Sequence, residues 1–446
     1  MIELFPATPE EPTRLGQAAA QLPRPLPQNP KVGARLREAN RSQVFFETTC
    51  LNEQLASDHA VRSIWAMIER LDLSALYQQV DARSGVAGAP AIDPKILLGL
   101  WVFATSEGEG SAREIWRLTS LHTAYRWLCG GVEVGYHTLS DFRSQQGQVV
   151  DALITQVLAL LMQHKLIDLA RVAQDGTRVR ASAGAASFRR EETLQGLVKQ
   201  AQEHLEAVTQ EGKDPVLTAR RAAALKRGAT ERVKRLQAAL EQIPQVKATK
   251  VKNGVKEETA RVSTSDPDAR VMKMGDGGFR PAFNVQFATT TDVSRVIVGV
   301  AVSNLGSDAQ QSTPILEQIE ERTGVRPSEI LVDGGYAQHE AVDEATEMNV
   351  DIYAPVPKPR KDDGRDQYAP HPGDSEAVVK WRQRMATEEA KAIYRQRAAT
   401  AETVNADAKT HRGLDKLRVR GVEKVLASAN LFVLTYNILR AFNLGL

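Results

Sequence analysis

The sequence predicts an α/β protein in which a mixed sheet flanked by helices follows an all-helical N-terminal region. Three observations support this fold class. Apolar residues recur at helical spacing between about 44 and 168, strand-like runs alternate with helices from 169 to 446, and a charged helical segment interrupts the strands at about 188–243. We therefore expect a helical domain at 44–168 and a mixed α/β domain at 169–446.

Length and composition narrow the class of protein. A chain of 446 residues exceeds the size at which a single core stops growing, and 42% apolar with 25% charged residues is typical of globular proteins. No uninterrupted apolar run reaches the roughly 18 residues that span a bilayer, and the N-terminus lacks a signal-peptide pattern. Cys50 and Cys129 are too few for a disulfide framework or a zinc site. We expect a protein of a reducing cytoplasm that is not associated with a membrane.

The net charge of +2 hides two basic regions. Residues Arg178–Lys273 contain 20 Lys or Arg against 12 Asp or Glu, and Lys409–Lys424 contain six against two. Such local excess is typical of a protein that binds a polyanion. A solvated helical surface would produce the same count, so both interpretations stay open.

The N-terminal part divides into a Pro-rich arm and a set of helices. Residues 1–43 contain seven prolines and little apolar periodicity, which predicts no fold of their own. Asp93-Pro94 marks one helix start, Ser111 with Glu114 has the spacing of a capping box, and a longer helix is predicted from Ser140 through Leu161. Short helices joined by tight turns fit a helix-turn-helix and equally a plain helical bundle.

The strand-like segments begin near residue 170 and follow a definite order. The predicted strands lie at Arg171–Val179, Phe283–Thr289, Arg295–Ser303, 329–335 and Asp351–Ala354. Helices at Gln311–Arg322 and His339–Met348 separate the last three. The ribonuclease-H-like fold has this βββαβ order. Two segments interrupt it, a helical hairpin at about 188–243 and a mobile loop at about 355–387 that begins with Pro, Lys, Arg and Asp.

Three acids on separate elements suggest a metal-dependent phosphodiester chemistry. Asp175 lies within the first predicted strand, Asp333 ends the fourth, and Glu402 lies on a late helix. Two Mg²⁺ ions held by a few carboxylates can neutralise the attacking and leaving oxygens of a phosphodiester. Each Asp precedes Gly, which lets backbone approach a ligand closely but could also simply favour a turn. Arg395 and Lys409, seven residues either side of Glu402, place it on a cationic helix face or on a solvated ion-pair face.

The segment Y-R-Q-R-A-A-T-A-E-T-V-N-A-D-A-K resembles the Tyr/Arg/Glu/Lys signature around the third acid of DDE transposases from bacterial insertion sequences. The resemblance extends to S-D-P-D-A-R, to R-V-R-G-V-E-K-V and to the closing N-L-F-V-L-T-Y-N-I-L-R. It also includes D-P-K-I-L-L-G-L and T-L-S-D-F-R of the N-terminal region, and so spans about 45–446.

The resemblance implies a ribonuclease-H-like catalytic core, a DNA-binding N-terminal domain and catalysis of DNA transposition. It makes Asp175, Asp333 and Glu402 the catalytic metal ligands for two Mg²⁺ ions, with Mn²⁺ expected to substitute. It implies a homodimer or higher oligomer that binds double-stranded DNA, both the terminal inverted repeats of the element and the target. The DNA-contacting residues implied by the resemblance, and two added from their position beside the first acid, are Tyr394, Arg397, Lys409, and Arg178, Arg180.

Other assignments remain open. A catalytically inactive transposase-derived DNA-binding protein, or a ribonuclease-H-like nuclease without strand transfer, would share most of these features. Asp266 and Asp268 are expected to cap a turn before a strand, and Asp308 with Asn304 to cap the following helix. The segment Phe283-Asn-Val-Gln286 is expected to be structural. The tryptophans at helical apolar positions, Trp101, Trp116 and Trp127, are expected in the core.

Overall fold

The computed structural model describes residues 50–82, 89–211, 219–359 and 366–446. The arm predicted at 1–43 lies outside these ranges. One apolar core, from Leu55 to Ala441, runs through the N-terminal helices and the sheet.

Seven helices occupy the described N-terminal ranges. They are α1 Ala60–Arg70, α2 Ser74–Gln78, α3 Pro94–Ser106, α4 Ala112–Leu121, α5 Thr123–Cys129, α6 Tyr136–Gln145 and α7 Gly147–Gln163. The single helix predicted from Ser140 through Leu161 is wrong, because two helices meet at Gln146. The predicted caps are present: Asp93 accepts from the Lys95 amide, and Ser111 accepts from the Glu114 amide at 3.3 Å.

The sheet strands are ordered with the first strand at the centre. The strands of the molecule are β1 Arg171–Arg180, β2 Phe188–Arg189, β3 Val262–Ser263, β4 Arg270–Lys273, β5 Phe279–Thr290, β6 Ile297–Ser303, β7 Glu329–Leu331 and β8 Asp351–Tyr353. Strand β5 pairs antiparallel with β1 on one side, and with β4 and β6 on the other. On its second side β1 pairs parallel with β7, which pairs parallel with β8. Strands β2 and β3 form a separate ribbon.

Burial explains why the central strands are so apolar. Strand β5 is buried along ten consecutive residues, Pro281–Thr290, because it has neighbours on both edges and is covered on both faces. The carboxyl end of β7 lies beside β1, so the chain that leaves β7 emerges next to the middle of the first strand. This arrangement brings Asp333, which follows β7, toward Asp175 of β1.

The remaining helices surround or extend the sheet. They are α8 Glu191–Glu211, α9 Ala219–Glu241, α10 Ile243–Lys252, α11 Ser312–Thr323, α12 His339–Glu347, α13 Glu376–Ala386, α14 Glu388–Arg397, α15 Thr403–Ala406 and α16 Val422–Asn443. Helices α14 and α15 belong to one continuous helix over 388–411, which is completed by two π-helical segments, Ala398–Glu402 and Asp407–His411.

Helix α16 is a buried core element. It is long and apolar enough to cross a membrane by length and composition, yet 72% of its most apolar window is buried inside the fold. Asn437 explains part of its fixed position, since its amide bonds both the backbone N–H of Ile297 (3.0 Å) and the carbonyl of the same residue (2.7 Å). Arg440 donates to the Ser294 and Val293 carbonyls. The closing motif N-I-L-R therefore secures the helix against the start of β6.

Two predicted segments differ in length from the corresponding segments of the structure. The insertion predicted at 188–243 continues into α10, and its helices share a small apolar core of their own that includes Leu194, Val233 and Ile243. The loop predicted at 355–387 is too long, because Glu376–Ala386 forms α13, which Ser375 caps by accepting from the Val378 amide. Residues 360–365 of that segment lie outside the described ranges.

Candidate active site

Asp175 lies at the middle of β1, opposite Phe287 of β5. Its side chain is 17% exposed and accepts three hydrogen bonds. Oδ1 accepts from the Gly176 amide and from Arg397 Nη2, each at 3.0 Å, and Oδ2 accepts from Asn405 Nδ2 at 3.0 Å. The first acid is thus held by the helix over 388–411.

Steric crowding explains why residue 176 is glycine, and the sequence alone does not reveal this. A Cβ at this position would meet Gln286 Nε2, Asp308 Oδ1 at 2.5 Å and Asn284 Oδ1 at 2.7 Å. Only glycine lets the strand pass so close to these three side chains. The prediction that Gly176 admits a ligand is therefore replaced by a packing role toward the protein interior.

Asp308 is the centre of a buried polar network. Its Oδ1 accepts from Asn284 (2.6 Å) and Gln286 (2.8 Å), and its Oδ2 accepts from Arg178 at 2.8 Å. Tyr336, which is buried, donates its hydroxyl to Gln286 Oε1. The expectation that Asp308 caps the following helix through its side chain is wrong, because the carboxylate faces the sheet.

Asp333 lies two residues beyond the end of β7, in a turn. Its Oδ1 accepts from the Gly335 amide at 2.7 Å, and its side chain is 42% exposed. The turn is tied to the Asp308 network through Tyr336. The turn that carries Asp333 is thus held by buried polar side chains as well as by its position after β7.

Arg397 brings the two aspartates into one electrostatic site. Its Nη2 lies 3.0 Å from Asp175 Oδ1 and 4.0 Å from Asp333 Oδ2. Burial raises the pKa of Asp175, Arg397 opposes that rise, and the charge of Asp333 adds to it. The like charges of Asp175 and Asp333 therefore lie close enough to interact, and such a pair of carboxylates is suited to a cation.

Glu402 occupies a different face of its helix. The residue is exposed and, within the described ranges, its side chain makes no hydrogen bond or ion pair. Asp175 is contacted instead by Arg397 and Asn405. Burial lowers the pKa of Lys409, and the nearby charge of Asp175 partly opposes that shift. Arg397, Asn405 and Lys409 are separated by eight and four residues. A repeat of four residues per turn is longer than the 3.6 residues of an α-helix and shorter than the turn of a π-helix.

Because of the π segments, residues that are seven apart in this helix do not lie on one face. Arg395 is 72% exposed and lies near Glu388 at 3.9 Å, whereas Lys409 is half-buried. The predicted single stripe of Arg395, Glu402 and Lys409 is wrong. Among the described residues no group of three or more His, Cys, Asp or Glu side chains is arranged to hold a metal ion.

The other predicted DNA-contacting residues lie on the helix over 388–411 and on β1. Tyr394 is half-buried beside Arg397, and burial raises the pKa of its hydroxyl. Burial and the charge of Arg178 lower the pKa of Lys409. Arg180 pairs with Asp415 at 2.6 Å, in the segment that follows the helix over 388–411.

The S-D-P-D-A-R motif caps a distant helix. Asp266 Oδ1 accepts from the Gly421 amide and Asp268 Oδ2 from the Val422 amide, each at 3.1 Å. Gly421 has a φ of 87°, and no side chain of its own segment caps α16. The two carboxylates satisfy amides that a helix start leaves unpaired. The Asp266 carboxyl also accepts from the nearby Asp268 amide, so the expected turn cap is present beside the distant one.

Sequence reasoning missed several of these residues. Asn405 is recognisable only once the helix period is known, although its spacing of eight from Arg397 was available as a signal. Trp116 was expected in the core but is 48% exposed, whereas Trp101 is buried as expected. Arg143, the last residue of T-L-S-D-F-R, was given no role from the sequence, and it is buried against the Trp101 ring.

Comparison with known families bears on both ends of the chain. Residues 49–145 match the family described as Transposase domain (DUF772), and residues 360–442 match the family described as Transposase DDE domain. Both segments match transposase families. The second match includes Glu402, whereas Asp175 and Asp333 lie between the two matched segments. No curated protein and no solved structure matches the chain.

The donor atoms at the two aspartates fit a divalent cation of the kind used by DDE transposases. Asp175 and Asp333 offer hard carboxylate oxygens, which Mg²⁺ prefers, and one cationic group already lies between them. Glu402 is not part of this grouping in the structure.

Proposed function

We propose that this protein is a DNA transposase of the insertion-sequence type with a ribonuclease-H-like catalytic core. The observation that carries the proposal is the pair Asp175 and Asp333, brought together by neighbouring parallel strands and sharing Arg397. The sheet order β6-β5-β1-β7-β8, with β1 antiparallel to β5 and parallel to β7, supports the proposed core.

In this proposal the chain's own residues position the DNA. Asp175, Asp333 and Glu402 would hold two Mg²⁺ ions, which supply charge neutralisation at the oxygens of the scissile phosphodiester. Tyr394 and Lys409, together with Arg178 and Arg180, would contact the DNA near the cleaved end. Arg397 compensates the negative charge of the two aspartates. The ends of the element would be hydrolysed and the 3′-hydroxyl transferred to target DNA by an oligomer on two ends.

The proposed role of Glu402 requires the helix over 388–411 to turn about its axis. The π segment Ala398–Glu402 contains one residue more per turn than an α-helix, and such segments often occur at functional sites. A change between π and α geometry there would alter the face that carries Glu402. The proposal thus predicts a different orientation of this residue when metal and DNA are bound.

The positive charge of α9, a helix of the insertion, supports DNA as a partner. Helix α9 contains seven Lys or Arg against two Glu. Arg220, Arg227 and Lys234 are exposed and lie seven residues apart, on the side opposite the buried Val233 and Leu236. Within the described ranges these three cations make no ion pair with a carboxylate. Such a row, about 21 Å long at 1.5 Å per residue, fits a phosphate backbone.

The test is cleavage of a labelled duplex that carries the inverted repeat flanking the gene. Wild type should nick the end with Mg²⁺ and not with EDTA, and Asp175→Asn and Asp333→Asn should bind the duplex without nicking it. Metal-independent nicking, or full activity in either variant, would contradict the assignment. A joining assay with pre-cut ends separates a transposase from a nuclease.

A second candidate is a DNA-binding protein without catalysis. The exposed, unassembled Glu402 favours it, because a third ligand is missing from the grouping seen in the structure. Tight duplex binding without nicking under Mg²⁺ or Mn²⁺ would support this candidate.

A further inference from the structure

A small cavity lies between the N-terminal helices and the end of the helix over 388–411. Its volume is about 40 Å³, and its walls include Trp101 of α3, Arg143 of α6, and Arg412, Lys416 and Arg418. Phe432 of α16 forms part of its base. The cavity is separate from Asp175 and Asp333, neither of which lines it.

Arg143 is the central cation of this cavity. The residue is 8% exposed, and its guanidinium lies over the Trp101 ring, 4.7 Å from the centroid. Nη1 donates to the Gly110 carbonyl at 2.6 Å, while the buried Nε has no hydrogen-bond partner. Among the described residues no carboxylate forms an ion pair with it. A buried cation without a counter-charge is unfavourable unless an anion joins it.

Further cations surround the same space. Lys416 and Arg418 line the cavity, are exposed, and make no ion pair within the described part of the chain. Arg412 also lines it, but is held by Asp407 at 3.2 Å and donates to the Ser106 carbonyl. The acidic residue in the wall, Glu109, accepts from the Ser111 amide at 2.5 Å.

Burial and the charge of Arg418 lower the pKa of Arg143 to about 10. The guanidinium is therefore still protonated at neutral pH, and the neighbouring cation increases the local positive potential. Hydrogen-bond donors with fixed geometry and a full charge are the features that recognise phosphate oxygens.

The backbone around the cavity is closely packed and preorganised. A Cβ on Gly108 would meet the His411 carbonyl at 2.7 Å, and a Cβ on Gly413 would meet the Gly108 carbonyl at 2.6 Å. Both glycines have positive φ, 79° and 70°. The turn after α3 thus lies directly against the end of the helix that carries Glu402, so a ligand here contacts both parts.

We propose that the cavity around Arg143 binds a phosphate group, supplied either by the DNA backbone or by inorganic phosphate. Arg143 contributes its free Nε, while Lys416 and Arg418 close the site from the solvent side. The site gives T-L-S-D-F-R a role, since Arg143 is its last residue. If the phosphate belongs to DNA, this inference rests on the proposed function. Binding of inorganic phosphate does not depend on that function.

The first measurement is thermal unfolding of the full chain without DNA, in inorganic phosphate against chloride at matched ionic strength. The rise in Tm caused by phosphate should be lost in Arg418→Gln and in Lys416→Gln, and retained in part in Arg143→Lys. Lys424→Gln, an exposed cation outside the cavity wall, is the matched control and should behave as wild type.

The second measurement distinguishes the source of the phosphate. If the group belongs to DNA, Arg418→Gln should weaken duplex binding and reduce the salt slope by about 0.9. One neutral methylphosphonate position should then weaken wild type and not the variant. If inorganic phosphate is the occupant, the Tm effect should occur without any change in duplex affinity.

Some outcomes would overturn the site. The proposal fails if wild type shows no phosphate-specific rise in Tm and duplex affinity is unchanged in Arg418→Gln and Lys416→Gln. It also fails if affinity falls in these variants but no methylphosphonate position couples to them. Loss of DNA cleavage alone contradicts neither phosphate binding nor duplex binding at this site. Failure of the transposase proposal can therefore be distinguished from failure of the phosphate site.

Discussion

Arg397 lies 3.0 Å from Asp175 and occupies the position between the two aspartates of the candidate site. The Arg397 side chain is 13% exposed, so the ion pair is only weakly screened by solvent. A metal ion entering between the acids must compete with this guanidinium for the same oxygens. The contact therefore predicts how metal binding responds to a substitution of Arg397.

Arg397→Gln should bind Mn²⁺ more tightly than wild type in the absence of DNA. Because the competing charge is removed, we expect a change on the order of tenfold, about 1.4 kcal/mol. Isothermal titration with Mn²⁺ measures it, and Arg395→Gln on the exposed face serves as control. Equal affinity in the two variants would mean that Arg397 and the metal do not share a site.

Glu402→Gln should reduce end cleavage to the level of the EDTA control if Glu402 is the third ligand. Glu389→Gln, an exposed glutamate of the same helix, should leave cleavage unchanged. If the arrangement in the structure were instead the active one, Asn405→Ala would abolish cleavage while Glu402→Gln would not. Cleavage rates of these three variants at saturating Mg²⁺ decide between the two orientations of the helix.

Gly176→Ala should destabilise the fold and weaken the site. The added Cβ would displace Asn284 or Asp308 in a buried network, and overpacking of this kind costs about 1–3 kcal/mol. Gly184→Ala is the matched control, because nothing lies within 4 Å of its Cβ and its φ of −88° suits alanine. Denaturant unfolding measures both variants, and equal free energies of unfolding would contradict the packing role.

The sequence predicted five of the strands along the chain, with Asp175 inside one and Asp333 after another, because these signals are local. A buried strand followed by Asp and Gly is visible in the residues around Asp175 and Asp333 without knowledge of the rest of the fold. The identity of Asp308 as a network centre was not visible, because its partners lie 22 and 24 residues upstream on β5. Its neighbours in sequence only suggested a helix start.

Long-range partners explain the other differences. Asp266 and Asp268 cap amides 155 and 154 residues away, which no local pattern encodes. The face of Glu402 depends on π segments, whose extra residue is accommodated by contacts with β1 and not by helix propensity. The orientation of these side chains depends on tertiary packing, which the local sequence does not encode.

The triple variant Arg220→Gln, Arg227→Gln, Lys234→Gln should weaken duplex binding in a salt-dependent way. Neutralising one side chain that contacts a phosphate reduces the slope of log K against log salt by about 0.9, so three such side chains account for roughly 2.7. Binding titrations from 50 to 200 mM salt, about the range in which such cations change affinity most, measure the slope.

The matched control removes three exposed cations elsewhere on the molecule. Arg117, Arg280 and Lys380 each pair with a nearby acid on their own segment, and they are 55%, 43% and 62% exposed. Their triple Gln variant has the same change in net charge. An equal decrease of slope in both variants would indicate a general charge effect and would contradict a DNA contact at α9.

Asp266 should make the protein less stable as the pH rises from about 4 to about 6. Burial raises the pKa of this carboxyl from 3.8 to about 6, while the Gly421 amide opposes the shift. In that interval the folded state holds a proton that the unfolded state has released, so the free energy of unfolding falls as pH increases. At neutral pH the cost is on the order of 3 kcal/mol.

Asp266→Asn isolates this effect, because the amide resembles the protonated carboxyl and still accepts from Gly421. The variant should match wild type near pH 4 and exceed its free energy of unfolding at pH 7.5 by up to about 3 kcal/mol. Denaturant unfolding at several pH values measures the difference between the two proteins, which removes the contribution of all other titrating groups. A difference that stays constant with pH would mean that Asp266 is ionised in the folded state throughout, with its charge stabilised by the start of α16.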